Sequence, residues 1–449
     1  MRAGKIFLVW FLIIVAFIAG SLLIICYTSG YKINWRVGKI EKTGMIYLAS
    51  QPRDVEVYFD GKLKSLGTPV SFRFLLPGSH YVMIKKQGLV GWEKNLKVEP
   101  GMVTKEDNII LFKANPDLSN LETDVVSEFK LAPDRKTVGY LNSSGLWIIN
   151  LDSKEKWQLI TRPTDQNINL IGFSDNSQKI LIKVGGDFWV VNVGGKKLAT
   201  TADIFRLSSI IPIQFSAVSW RPQDNDKIFG LATNILYLID ISNLSLKIVD
   251  QSVATYSASP DTIYYFKIEE GNQELMSAYL DGNSVTKIKE KIGQNPAKLL
   301  ASYDNQLVMI DQNQDLFYFD DNKTKLTLLG SGALDAFWGR DEGGFFNFFS
   351  TSRLLFNTKN EIWWYTKEKK APAQLVTRLS TEITKAIYYS DQEHIVFLTD
   401  GKLYVAEQDG KNSVQIGSAQ LSEFNLLNRG KTILSAGKDG LVSALIRQD

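Results

Sequence analysis

The chain has 449 residues, 44% of them hydrophobic and 22% charged, a globular composition that excludes a disordered protein. The net charge of +3 hides a gradient: residues 1–43 carry +5, residues 44–113 carry +3, and residues 114–449 carry −5. An acidic main body lacks the basic stripe that displaces counterions from phosphates, so nucleic acid is not an expected partner.

From the N-terminus, a short tail (1–5) carries Arg2 and Lys5. Residues 6–27 then run for 22 positions without a charge. About 20 apolar residues cross a bilayer as a helix, so 6–27 is expected as an uncleaved transmembrane anchor, with the lipid bilayer as its partner. A secretory signal would have a shorter apolar core and a small-residue cleavage site. Tyr27, Tyr31 and Trp35 follow at a depth suited to an interfacial aromatic belt. Cys26, the sole cysteine, permits no intramolecular disulfide and no multi-cysteine zinc site. The preceding Ile24-Ile25 lacks the small residue of a lipoprotein signal, so the thiol reads as membrane-buried. Residues 28–43 are expected as a juxtamembrane linker. Their Lys32, Arg36, Lys39 and Lys42 outnumber Arg2 and Lys5, which taken literally puts the C-terminal side in the cytoplasm.

Residues 44–113 change to short alternating strands between turns. Val55, Val57 and Phe59 stop at Asp60-Gly61, and Val70, Phe72 and Phe74 share a face before Pro77-Gly78. Further strands are expected at 45–49, 81–85, 93–98 and 108–112. The phrases Gly44-Met45-Ile46-Tyr47-Leu48-Ala49-Ser50-Gln51-Pro52, Val57-Tyr58-Phe59-Asp60-Gly61, Leu66-Gly67-Thr68-Pro69, Leu76-Pro77-Gly78-Ser79-His80-Tyr81, Gln87-Gly88 and Trp92 together resemble the PEGA domain. The departure is Asp54-Val55, where the family usually has Gly-Ala. The resemblance implies a non-catalytic β-sandwich common on bacterial and archaeal surface or envelope proteins. It therefore implies an exported body with a cytoplasmic N-terminus, against the literal count of basic residues.

Residues 114–126 read as a linker, and 127–449 as a repeat. Third strands recur at Leu146-Trp147, Phe188-Trp189, Leu236-Tyr237, Leu275-Met276, Leu316-Phe317, Ile362-Trp363, Leu403-Tyr404 and Leu441-Val442, about 38 to 48 residues apart. That period, with several short strands per unit, predicts an all-β propeller of eight blades, or seven if one weak copy merges with a neighbour. First strands end in Ala132-Pro133-Asp134, Ser174-Asp175-Asn176 or Ser259-Pro260-Asp261. These turns are similar to the Ser-Pro-Asp-Gly turn of TolB-like and WD-like propellers, without its final glycine. The last copy ends after its third strand. A ring left open there would expose an edge, so a segment within 118–126 is expected to supply the outer strand.

Chemistry is sparse. His80 and His394 both read as surface histidines in turns, and neither has the setting of a base in a hydrolytic triad. There is no nucleophile elbow and no phosphate-binding loop. Asp311-x-Asn313-x-Asp315 resembles half a calcium loop, but Leu316 and Asn322 stand where its glycine and final acid belong. No cofactor or metal is expected. An insertion at 339–352 presents Phe345, Phe346, Phe348 and Phe349 beside Gly343-Gly344, a candidate partner-binding loop or an extended inner strand. The connection 201–215 is similarly ambiguous. The expected role is non-catalytic binding or scaffolding of a protein or glycan at the envelope. The alternatives are a glycan hydrolase or lyase using channel carboxylates, or a cytoplasm-facing interaction platform.

Overall fold

The computed structural model describes residues 2–35, 38–209, 212–269, 271–289, 292–293, 295–302, 304–320, 322, 325–339, 353–367, 372–417 and 420–448, with backbone only at 2–9, 22–23 and 26. The candidate loop residues Phe345, Phe346, Phe348 and Phe349 lie outside them.

Helix α1 (Arg2–Thr28) ends where Gly30 takes a left-handed φ of +80° and its N–H meets the Tyr27 carbonyl, as a helix C-terminus favours. Among the described residues no helix is long and apolar enough to cross a membrane, so the fold does not show the span expected over 6–27. The stretch 28–43 is not a plain linker. Strands β1 (Tyr31–Asn34) and β2 (Lys39–Lys42) pair antiparallel within it.

The chain divides into two compact units, Met1–Asn115 with Arg447–Asp449, and Pro116–Ile446. In the first, seven strands follow the hairpin: β3 (Gly44–Gln51), β4 (Glu56–Phe59), β5 (Lys62–Ser65), β6 (Val70–Leu75), β7 (Gly78–Lys85), β8 (Trp92–Val98) and β9 (Val103–Ile110). They form two sheets, in orders β6-β3-β9 and β5-β4-β7-β8. Alternation decides which side chains enter the core: Ile46 and Leu48 of β3 are fully buried, as are Val57, Val82 and Ile84 of the facing sheet. Asp60 and Gly61 both take positive φ, the geometry of a tight hairpin turn, and so create β5, which the sequence reading had not placed.

The second unit is a β-propeller. Its described residues form eight four-stranded antiparallel sheets, numbered here in chain order over 128–161, 168–206, 217–250, 253–289, 296–330, 335–378, 383–415 and 421–445. First strands lie side by side between the first and second, second and third, fourth and fifth, and sixth and seventh sheets, and Glu128–Leu131 of the first lies beside Leu421–Leu427 of the eighth, closing the ring. Second strands carry the core: all six residues of Thr137–Asn142 and of His394–Thr399 are buried. Apolar clusters fill the spaces between successive sheets, and the cluster of Leu121, Phe129, Tyr140, Leu427 and Leu434 joins the eighth sheet to the first.

The eighth sheet takes its outer strand from upstream. Strand β10 (Asp117–Glu122) pairs antiparallel with Gly440–Leu445, so the two chain ends of the ring close it together. The connection 201–215 also resolves in part: Ile204–Arg206 is the outer strand of the second sheet, and Leu207 and Phe215 are buried beneath it.

Candidate functional site in the propeller channel

In a propeller the first strands are the inner ones, and here charged side chains on them meet across neighbouring sheets. They come from sheets far apart in sequence. Glu128 and Lys130 belong to the first sheet, Lys298 to the fifth, Asp335 to the sixth, Lys385 to the seventh and Glu423 to the eighth. Each carboxylate has two kinds of partner. Glu128 Oε2 accepts the Leu170 N–H of the second sheet at 3.0 Å, and its Oε1 lies 3.6 Å from Lys130 Nζ. Glu423 Oε2 accepts the Phe129 N–H at 3.4 Å, while its Oε1 lies 3.4 Å from Lys385 Nζ and 4.0 Å from Lys130 Nζ. Asp335 Oδ1 meets Lys298 Nζ at 2.5 Å and the Ala336 N–H at 2.9 Å.

The recurring move is a side-chain acceptor on one first strand taking a backbone N–H from the next. Glu128 does this for the second sheet and Glu423 for the first, and Ser257 Oγ takes the Ala301 N–H at 3.0 Å between the fourth and fifth. These inner strands have a free edge, and unpaired N–H groups on it would be costly. Lys385 is the least solvated of the cations. Burial holds its ammonium below the ordinary lysine value, and the nearby Glu423 only partly offsets this. It also donates to the Phe424 carbonyl at 3.0 Å and sits 5.3 Å over the Phe424 ring. The wall is therefore an alternation of carboxylate and ammonium spanning five consecutive sheets, the fifth through the first. It can present paired charges to a ligand, but no described carboxylate here stands with both oxygens unengaged.

The other sites read from the sequence resolve as structure. Asp311 Oδ1 accepts the N–H groups of Asn313 and Asp315, both at 2.9 Å, as an aspartate does in a turn. Among the described residues no group of three or more His, Cys, Asp or Glu is placed to hold a metal. The expectation that His394 is a surface residue is corrected: its side chain is only 6% exposed, and Nδ1 lies 2.6 Å from Asp391 Oδ2. Asp391 also takes the Glu393 and His394 N–H groups. Burial alone would raise that carboxylate, but the His394 bond and these amides outweigh it and hold it low. His80 is only 20% exposed at its side chain, stacks on Phe59 with ring centroids 5.0 Å apart, and contacts Asp60 at 2.9 Å.

A second recurring cluster ties sheets together. Tyr140 donates to Glu122 of β10 at 2.8 Å, with Lys156 at 3.3 Å from the same oxygen. Tyr265 of the fourth sheet likewise donates to Asp250 of the third at 2.8 Å, with Lys267 at 3.2 Å.

Residues 43–108 match the PEGA domain family. No curated protein matches the chain in sequence. The propeller is similar in fold to the C-terminal WD40 domain of Sif2, at TM-score 0.50 and 11% identity, covering 75% of this chain and 99% of that one. It is equally similar to the Dos1 propeller, at TM-score 0.50 and 14% identity, covering 74% and 95%. An oligogalacturonate lyase of Vibrio parahaemolyticus aligns at TM-score 0.43 and 10% identity over 74% and 98%. At these identities the likeness is one of fold alone.

Proposed function

We propose that this is a membrane-anchored, non-catalytic binding or scaffolding protein of a bacterial cell envelope, in which each of the eight sheets is one propeller blade. The blade count rests on eight sheets of equal strand number, the first of them lying beside the eighth. The anchor reading rests on the uncharged run 6–27 within α1 and on exposed apolar side chains right around it, including Trp10, Phe11, Leu12, Ile13, Ile14 and Phe17. Envelope location, with the N-terminus cytoplasmic and the body outside, rests on the PEGA match.

The absence of catalysis rests on one observation. General acid–base work needs a carboxylate poised to give or take a proton in reach of substrate. Glu128 and Glu423, the best-placed acids of the channel, instead hold backbone N–H groups of neighbouring sheets and lysine ammoniums. A channel mouth of paired charges suits recognition of a protein or glycan by hydrogen bonds. The test is the purified full-length chain in detergent, offered a broad glycan and peptide panel for both binding and turnover. Binding that weakens on Lys130→Ala or Lys298→Ala, without turnover, is the expected result. Turnover abolished by Glu423→Gln or Asp335→Asn would replace this reading with an enzyme.

A further inference from the structure

Most of the apolar residues left exposed on the sandwich unit outside α1 are gathered at one end, Leu63 and Leu66 being the exceptions. Pairing of Tyr31 with Lys42 and of Ile33 with Ile40 puts these four side chains on one face of the β1–β2 ribbon, with Lys32, Asn34, Lys39 and Glu41 on the other. Tyr31, Ile33 and Ile40 are 41%, 36% and 63% exposed, and Trp35 beside the turn is 85% exposed. A two-stranded ribbon is marginal in water, and this one pairs with no third strand among the described residues.

The ribbon is fixed at its base to the end of α1 and to the sandwich. Thr43 donates through both N–H and Oγ1 to the Gly30 carbonyl, at 2.7 and 2.6 Å, and its own carbonyl accepts the Gly101 N–H at 2.9 Å. The exposed Met102 and Val103 follow directly, and the exposed Phe74 stacks on Tyr27 of the helix at 5.3 Å. The apolar exposure is therefore continuous with the helix end. Charge on the ribbon is positive, since Glu41 is engaged by Asn34 at 2.8 Å while Lys32, Lys39 and Lys42 outnumber it.

We infer that this face lies on the surface of an anionic bilayer, with Tyr31, Ile33, Trp35 and Ile40 at the level of the acyl boundary and the lysines among acidic headgroups. The inference rests on the reading of α1 as a membrane anchor and adds what the anchor leads into: a lipid-bound platform that sets the sandwich against the membrane, in place of a free linker. The opposite end of the sandwich supplies the control. There Thr68 Oγ1 accepts the Ser50 N–H near the far end of β3, and the neighbouring Leu66 is 73% exposed.

The test uses the full-length chain with Cys26→Ser and one new cysteine at a time: Phe17→Cys, Ile40→Cys, Met102→Cys or Leu66→Cys. Each carries an environment-sensitive label and is reconstituted into phosphatidylcholine vesicles, with or without phosphatidylglycerol, containing brominated lipid as quencher. The expected result is quenching at positions 17, 40 and 102 and none at 66. At position 40 the quenched-to-unquenched ratio should rise in the anionic vesicles and fall there about fivefold for each of Lys32→Ala and Lys39→Ala. Quenching at 17 with labels at 40 and 102 as water-exposed as at 66 would overturn the platform and leave the anchor. Quenching at 40 indifferent to lipid charge and to both lysines would overturn the anionic-headgroup recognition. A water-exposed label at 17 would overturn the anchor, and the platform with it.

Discussion

Tyr140 lends itself to a residue-scale test because its hydroxyl joins the second strand of the first sheet to the carboxylate of β10. Removing it as Tyr140→Phe keeps the ring and should cost about 1.5–3 kcal/mol, the range for a hydrogen bond to a charged partner. Urea unfolding at neutral pH measures it. The pH dependence follows from the same pair. Burial pushes Glu122 up, but the bonds from Tyr140, the Asp124 and Thr123 amides and Lys156 prevail, so the folded carboxylate lies below its ordinary value of 4.5. Its stabilisation is thus present above that value and lost as pH falls through the folded one. Tyr140 is raised, by burial first and then by Glu122, so its contribution is present below its ordinary value of 10.0 and lost as pH rises through the folded one. Tyr140→Phe should therefore shrink the acid loss and contribute nothing in alkali. An unchanged acid limb would sink the assignment. None of this pairing was legible in the sequence. Glu122 and Tyr140 are 18 residues apart, and Phe129 and Glu423 are 294 apart, so only ring closure brings the latter pair together. The one local signal was a charged residue in a first strand that otherwise alternates, as in Glu128-Phe129-Lys130-Leu131.

Elements were far more legible than sites, because strands and turns are written locally. The apolar third strands, most of them carrying an aromatic residue, fall where the repeat placed them, from Gly145–Asn150 to Gly440–Leu445, since each is buried between two neighbouring sheets. The aspartate turns were legible for a related reason: Asp134 accepts the Lys136 and Thr137 N–H groups, a bond any Pro-Asp turn can make. Short strands without such signals were missed, notably β5, whose side chains are mostly exposed, and Ile204–Arg206, which at three residues is too short to show an alternation. The closing strand gives the prediction at this scale. Gly440 has φ +92°, and a Cβ there would stand 2.0 Å from the Glu122 carbonyl oxygen of β10. Gly440→Ala should cost about 2–5 kcal/mol, combining left-handed strain with a backbone clash. It should also lift hydrogen-exchange protection from Thr432–Gly437. Gly271, with φ +77° and open space around its Cβ position, is the control and should show only the strain. Equal losses at the two glycines would mean that the β10 contact does not close the ring.

At the scale of the molecule, two cores are built in different ways. The sandwich packs two small sheets around Ile46, Val57, Ile84 and Trp92, while the propeller distributes its apolar clusters between successive sheets around a closed ring. A core of roughly seventy residues buries a smaller share of its surface than a much larger domain does and is correspondingly less stable. The two units should then unfold as separate transitions, the sandwich first. Ile84 and Ile182 are both fully buried, one in each unit, and truncating either to alanine should cost about 2–5 kcal/mol locally. Ile84→Ala should lower only the first calorimetric transition of the full-length protein, and Ile182→Ala only the second. The physical reason is that each substitution empties space inside one core, and the cavity term is felt only by the atoms that line it. A single transition that moves with both substitutions would show that the ring and the sandwich fold as one cooperative body, and the propeller would then be an integral part of a larger domain.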